Sequence, residues 1–356
     1  MWSLFLVLVL PSFSYIVSSV SSTLRGEEFM FFTNNNDNDW SEFSSFRERF
    51  RRNYVSLQEL ELRFSVFRQN LRTILLHNIE FENGKQNFTM GVNQFSDLTA
   101  DEFKTKYVNN GKHLDVGLYG CKSFSYSSSD SYFNSNFTSS SVVDWRENGA
   151  VTSVKDQGQC GSCWAFSSTG AIEGAWAISK GQLVDFSEQQ LVDCATGVTY
   201  GSHGCSGGQM DGAFKYVISK GQCLLNAYPY TAADGACQKC SAVAQLSSCS
   251  DVKANDQVSL RAAVFQQPVS VAIEADTRYF QSYSSGVLTS ATCGTNLDHG
   301  VLVVGYGAEN GINYWLVKNS WGTSWGENGY VKIGRSDSTT DAGICGIAMS
   351  PSFPSV

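Results

Sequence analysis

The 356-residue chain carries 33 acidic and 25 basic residues, a net charge of −8 and a pI near 5.1, which excludes the basic surface that nucleic-acid binding needs. A hydrophobic content of 42 % over that length can fill the core of one large domain or two medium ones. Eleven cysteines, an odd number, point to an oxidising compartment, several disulfides and at least one thiol left over.

In chain order, the run MWSLFLVLVL is followed by Pro11 and a serine-rich stretch, with Arg25 the first charge. About ten apolar residues are too few to span a bilayer, so residues 1–20 read as a cleaved secretory signal, and no later stretch is apolar enough for a membrane span. After an asparagine-rich patch at Thr33–Trp40, a helical segment is expected from about Ser41 to Asn83. Leu60, Phe64, Phe67, Leu71, Ile74 and Leu75 recur there at three- and four-residue spacing, the apolar stripe of an amphipathic helix. Glu59 and Arg63 stand one turn apart and can pair on its surface. The run FTMGVNQFSDLTADEF predicts a short extended segment, Asp97 or Thr99 as a cap, and a helix containing Asp101 to Lys106.

Between about Asn109 and Ser141 the sequence turns serine-rich with few aliphatic residues, the texture of an exposed linker. Apolar, glycine-rich texture returns at VVDWRENGAVTSVKDQGQCGSCWAF, which places a boundary near residue 141. A small helical unit at about 40–108 thus precedes the linker at 109–141 and a main domain at 142–356. In the main domain, SCWAFSSTGAIEGAWAISKG and MDGAFKYVISKG predict helices that each end in glycine. From about Pro268, PVSVAIEA, HGVLVVGYG, NYWLVKNSWG and GYVKIG predict strands separated by glycine turns. A helical half and a strand half predict an α+β fold with a cleft between them.

Cys160 and Cys163 in GQCGSCWAF admit three readings. A redox couple needs a strand-then-helix context that AVTSVKDQGQ does not supply. A zinc site shared with Cys237 and Cys240, which repeat the spacing, would need the two pairs far closer together in the chain. The third reading makes Cys163 a nucleophile at a helix N-terminus, where the macrodipole favours a thiolate. A nucleophile needs a base and a group to orient that base. Of the main domain's two histidines, His203 lies in a glycine- and serine-rich loop, whereas His299 opens an apolar strand. Asn319 in KNSWG offers an amide oxygen to accept from the ring, and Trp321 and Trp325 can keep water off that bond.

These residues resemble the papain family of cysteine proteases, of the cathepsin L type and in preproenzyme form. Cys160–Trp164 reads Cys-Gly-Ser-Cys-Trp, with His299 and Asn319 downstream in that order. Glu59, Arg63, Phe67, Asn70, Ile74 and Asn78 match the interspersed helical motif of the family's inhibitory prosegment, and Gly91, Asn93, Phe95 and Asp97 match its second motif. The blocks SEQQLVDC, CSGG, YPY, DHGVLVVGYG and KNSWG also resemble family blocks.

The resemblance implies a papain-like two-lobed domain preceded by a helical prodomain, with a propeptide over 21–141 and a mature domain over 142–356. It implies an endopeptidase with Cys163 as nucleophile, His299 as base, Asn319 as orienter and Gln157 as oxyanion donor, and with no cofactor or metal. It implies disulfides Cys160–Cys205, Cys194–Cys237 and Cys293–Cys345, with Cys163 free. Cys240 and Cys249 are close enough in sequence for a small loop bridge that leaves Cys223 over, but the three pairings stay open, and Cys121 is expected to leave with the linker. Gly207 and Gly208 are expected to receive an extended peptide, with Trp321 at the site. Met210, Ala272, Leu297 and Ser350 are expected to line a pocket for an apolar residue one position before the scissile-carbonyl residue. Asp298 is expected to face away from His299.

The implied zymogen is latent near neutral pH and matures in acid through a cut near Ser139–Val142, with Asp97 the expected acid-sensitive carboxylate. The sequons at Asn87 and Asn136 precede that cut. Protein and peptide substrates, the chain's own prosegment and cystatin-type inhibitors are the implied partners, with no nucleic acid and no membrane. A monomer is expected, in a lysosome- or vacuole-like compartment or outside the cell. An inactive binding protein on the same fold would lack Cys163, His299 or Asn319, and all three are present.

Overall fold

The computed structural model describes residues 36–108, 120–127, 142–289 and 293–356; the expected leader at 1–20, the sequon at Asn136 and most of the 109–141 linker lie outside them. The chain divides into a short N-terminal unit ending at Leu60 and a large one from Glu61 to Val356. In the short unit Phe43 stacks on Phe46 and Tyr54 at 6.1 and 6.0 Å, with the Arg47 guanidinium over Phe43 and Tyr54.

The helix expected over 41–83 is two helices, α1 (Asn36–Arg49) and α2 (Leu57–Glu82). The chain turns between them through Arg51, whose φ is 52°. Polar contacts that the apolar periodicity hides restart the helix. Ser56 Oγ accepts from the Glu59 N–H, while the Glu59 carboxylate accepts from the Val55 N–H, each at 3.1 Å.

Along α2 the apolar stripe and its polar interruptions do different work. Phe67, Leu71 and Ile74 are buried, while the polar residues bind the chain that follows. Asn78 makes two bonds to the Met90 backbone, donating to the carbonyl and accepting from the N–H at 2.9 Å each. Asn70 donates to the Ser96 and Leu98 carbonyls. Arg63 reaches the Glu102 carboxylate at 2.7 Å and the Asp97 carbonyl at 3.1 Å. The following helix, α3 (Ala100–Tyr107), opens on Thr99, which forms a capping box with Glu102.

The second prosegment motif holds the chain against the main domain. Asn93 donates to the Gln281 carbonyl at 2.7 Å and accepts from the Phe95 N–H at 2.9 Å. Phe95 packs edge-on against Trp321 at 5.4 Å. Strand β1 (Phe88–Met90) pairs antiparallel with β8 (Tyr283–Leu288), so the prosegment supplies an edge strand of the large sheet.

That sheet runs from β1 and β8 through β11 (Tyr330–Gly334), β10 (Ile312–Lys318), β9 (His299–Glu309), β7 (Val269–Ile273), β12 (Ser352–Ser355) and β6 (Ser248–Val252) to β2 (Lys122–Phe124), with β3 (Val143–Asp144) added on β9. Its centre is β7 (Val269–Ile273), β9 (His299–Glu309), β10 (Ile312–Lys318) and β11 (Tyr330–Gly334). The strands expected from Pro268 onward are therefore present. The helical lobe holds α4 (Cys163–Lys180), α5 (Glu188–Cys194) and α6 (Met210–Lys220) around a core of Trp164, Ile172, Leu191, Phe214 and Val217. This is the expected α+β arrangement. Gly181 closes α4 in the left-handed conformation, φ 71°. Within α4, a Cβ at Gly174 would lie 2.6 Å from the Pro268 ring, so glycine there lets helix and sheet meet.

Five disulfides are present, and two correct the sequence reading. Cys160–Cys205, Cys194–Cys237 and Cys293–Cys345 are joined by Cys223–Cys240 and Cys121–Cys249. Cys240 and Cys249, near in sequence, take different partners because β5 (Ala242–Ala244) pairs with β4 (Gln222–Cys223) in a small separate sheet, whereas β6 lies in the large one. Cys121 does not stand in an exposed linker either. It precedes β2 (Lys122–Phe124), which pairs in parallel with β6.

Candidate active site

Cys163 is the first residue of α4 and the one free cysteine among the described residues, fully buried. The preceding turn is fixed by the Cys160–Cys205 bridge and by Gly161, whose N–H bonds the Cys205 carbonyl at 2.9 Å. His299 opens β9. Ser167 of α4 donates to the Val301 carbonyl at 2.7 Å and Ser270 donates to the Ser167 carbonyl at 3.0 Å, which fixes the helix of Cys163 on the strands beside His299. A Cβ on Gly300 would lie 3.3 Å from the Cys163 carbonyl carbon, so the residue after His299 touches the Cys163 backbone.

His299 Nε2 lies 2.8 Å from Asn319 Oδ1. An amide oxygen only accepts, so the ring carries its hydrogen on Nε2. Nδ1, buried and without a hydrogen-bond partner among the described residues, keeps its lone pair for a proton. Trp321 stacks on the ring at 4.6 Å and Trp325 packs on Trp321 at 5.1 Å, the cover expected from KNSWG. Asp298 turns to the Ala275 N–H at 2.8 Å, and burial raises its carboxyl to about 8.

Gln157 is completely buried. Its amide nitrogen donates to the Cys160 carbonyl at 3.0 Å and to the Tyr107 carbonyl at 3.2 Å, and its oxygen accepts from Ser320 Oγ at 2.7 Å. Tyr107 ends α3, so a prosegment carbonyl sits on this donor. Burial in the covered cleft pushes the Cys163 thiol up to about 12 and the His299 imidazole down to about 4, and both are therefore neutral at pH 7.

Met210, Ala272 and Leu297 fall in one buried apolar cluster, and the Met210 sulfur approaches Gly300 beside Cys163. Ser350 is half-buried. A Cβ on Gly208 would lie 2.5 Å from the Trp164 ring, so this glycine is also required by packing. Gly207 turns through φ 101°, and its carbonyl accepts from the His203 N–H at 2.7 Å. Asn87 is exposed, its amide donating to Thr289 Oγ1 at 2.8 Å.

Sequence reasoning missed Ser320 and Tyr230. Tyr230 Oη meets Ser162 Oγ at 2.6 Å and the Gln157 carbonyl at 2.8 Å, clamping both ends of the loop before Cys163. The signal was available in YPY, a block without an assigned role.

Known proteins resemble this chain over most of its length. A model described as papain family cysteine protease matches residues 139–355, and one described as cathepsin propeptide inhibitor domain (I29) matches residues 43–103. The senescence-specific cysteine protease SAG39 of Oryza sativa is 44 % identical over 315 residues, 86 % of this chain and 87 % of that protein. The germination-specific cysteine protease 1 of Arabidopsis thaliana is 43 % identical over 304 residues, 84 % of this chain and 78 % of that protein. Among solved structures, a recombinant stem bromelain precursor superposes with a TM-score of 0.79 at 36 % identity, covering 90 % of this chain and 99 % of that one. Digestive procathepsin L2 from Tenebrio molitor larval midgut gives 0.81 at 40 % identity, covering 89 % and 100 %.

Proposed function

This chain belongs to the papain family of cysteine proteases and carries an inhibitory propeptide domain ahead of its peptidase domain, and from that footing we propose how it cuts, what it cuts and what releases it. The observation that carries the mechanism is the free Cys163 beside His299, whose Nε2–H is held by Asn319 and whose Nδ1 is bare. With the cleft open to water, desolvation no longer holds the pair neutral, and the thiol proton passes to Nδ1. The thiolate attacks the peptide carbonyl, and the oxyanion is received by the Gln157 amide and the Cys163 N–H. His299 returns the proton to the leaving amine, then takes one from the water that hydrolyses the thioester. Asn319 holds the ring without adding charge.

The pocket assigned to Met210, Ala272, Leu297 and Ser350 contains no charge and three apolar side chains. A peptide with Leu, Phe or Val one position before the scissile-carbonyl residue is the expected substrate, and Gly207 and Gly208 pair with its backbone. Acid-treated protein should hydrolyse a fluorogenic peptide with Leu or Phe there about 10-fold or more faster than one with Arg. Faster cleavage of the Arg peptide would sink the pocket assignment.

Release follows from acid. Glu102, held by Arg63, has its carboxyl lowered from 4.5 to about 2, so its contribution is complete above about 4.5 and lost as pH falls toward 2. His77 acts earlier. It is buried on α2, with Nε2 donating to the Phe88 carbonyl at 2.9 Å and Nδ1 without a partner among the described residues. Phe88 and Tyr279 pack against its ring, and Glu80 is the charge that favours its protonation. Burial lowers its pKa below 6.5, so the unfolded prodomain takes up the proton first and stability falls as pH drops below 6.5. His77→Gln keeps a donor for Phe88 without the titration. The variant should stay latent at pH 7 and need roughly half a unit to one unit more acid to mature; an unchanged activation profile would assign the response to other groups.

Five disulfides suit a secretory route into an acidic vacuole- or lysosome-like compartment or out of the cell. No helix among the described residues is long and apolar enough to cross a membrane. Cystatin-type inhibitors are the expected external partners of the open cleft, and a monomer is the expected working form.

A further inference from the structure

Residues 120–127 precede the expected cut near Ser139–Val142, yet their described contacts are with the peptidase domain. Cys121 is bonded to Cys249 on β6. Lys122, Ser123 and Phe124 pair in parallel with Ser250, Asp251 and Val252. The Phe124 carbonyl accepts from the Lys253 N–H at 2.8 Å, and the Tyr126 N–H donates to Ser259 Oγ at 2.9 Å. The Phe124 ring meets Phe353 of β12 (Ser352–Ser355) edge-on at 5.3 Å. The prosegment proper is held differently, through α2, β1 and α3 on the other side of the sheet order, where β1 caps one end and β2 the other.

We propose that the segment carrying Cys121 and β2 is a permanent part of the mature peptidase, covalently retained through Cys121–Cys249 rather than discarded with the inhibitor. The inference rests on the reading that the chain matures by proteolysis. Its consequence is chemical connectivity. A single cut near Ser139–Val142 leaves the inhibitory domain attached to the enzyme through the disulfide, at an effective concentration on the order of mM. The inhibitor leaves as a separate chain only after a second cut between α3 and Cys121. The mature enzyme is then two chains, a short one containing Cys121 and the long catalytic one.

The test is a disulfide map of the matured enzyme, with thiols alkylated before denaturation and without reductant. The expected result is a peptide containing Cys121 linked to one containing Cys249, lacking Val108 and everything before it. Treatment with a dithiol should lower the intact mass by that of the short chain. Cys121→Ser/Cys249→Ser protein, matured the same way, should show no such fall. Active enzyme with Cys249 alkylated or bridged elsewhere, and no peptide containing Cys121, would overturn the proposal. Where acid fails to convert the proform, limited subtilisin digestion at neutral pH yields the same map. Failure to self-process then counts against the zymogen reading, and loss of the Cys121 peptide counts against this one.

Discussion

Cys163→Ala should leave a folded, full-length proform that hydrolyses no peptide, a loss of about 10⁶-fold in kcat. The change removes one sulfur from a fully buried position at the head of α4, and alanine is the best helix former there. All five disulfides are formed by other cysteines, so the fold keeps its cross-links. What disappears is the sulfur that the proposed mechanism uses to attack. The variant should also remain uncut in acid, because its prodomain would loosen without a nucleophile to cleave it. A peptide epoxide that labels acid-treated wild type should leave the variant unlabelled. Cys223, which the sequence leaves as a candidate free thiol, is bridged to Cys240 and offers no competing sulfur. Labelling or hydrolysis that survived in Cys163→Ala at the wild-type rate would end the assignment of the nucleophile.

Much of this site could be read from the sequence because its chemistry sits in short, contiguous runs. GQCGSCWAF specifies a bridged turn and a helix start, and HGVLVVGYG and KNSWG specify strands whose ends must lie near that helix. The periodicity of α2 is equally readable, and a motif marks its Asn70 and Asn78, but not what they bind, because each clamps backbone that has no pattern of its own. The break before α2 was hidden because a stripe of apolar residues has no term for a left-handed Arg51. Pairing of Cys121 and Cys249 was unreadable for a different reason: it depends on the edge order of a sheet assembled from strands more than a hundred residues apart. Serine-rich composition reads as linker whether or not a few of its residues add a strand. Glu102 and His77 gave no signal, because what shifts them is a partner across the fold for Glu102 and burial for His77.

Gln157→Ala should cost about 10²–10³-fold in kcat, roughly 3–4 kcal/mol of transition-state stabilisation, with KM little changed. The amide nitrogen already donates to a carbonyl oxygen, that of Tyr107 at 3.2 Å, which is the kind of contact the proposed oxyanion role requires. Its direction is enforced from both sides, by the Cys160 carbonyl at 3.0 Å and by Ser320 Oγ, which donates to the amide oxygen at 2.7 Å. The group is therefore positioned before any substrate arrives, which is the condition for a donor to act chiefly on the developing oxyanion. The same bond to Tyr107 gives the variant a second phenotype, because the prosegment loses a hydrogen bond worth about 1 kcal/mol. Its proform should convert in acid at a slightly higher pH once wild-type enzyme is added in trans to do the cutting. A residue that merely braced the loop would lower thermal stability and raise KM while sparing kcat. Ser320→Ala separates the two roles further. It leaves the donor in place but unfixed, so its loss in kcat should be smaller than that of Gln157→Ala and in the same direction. A Gln157→Ala enzyme with wild-type kcat would remove Gln157 from the oxyanion site and leave that work to the Cys163 N–H alone.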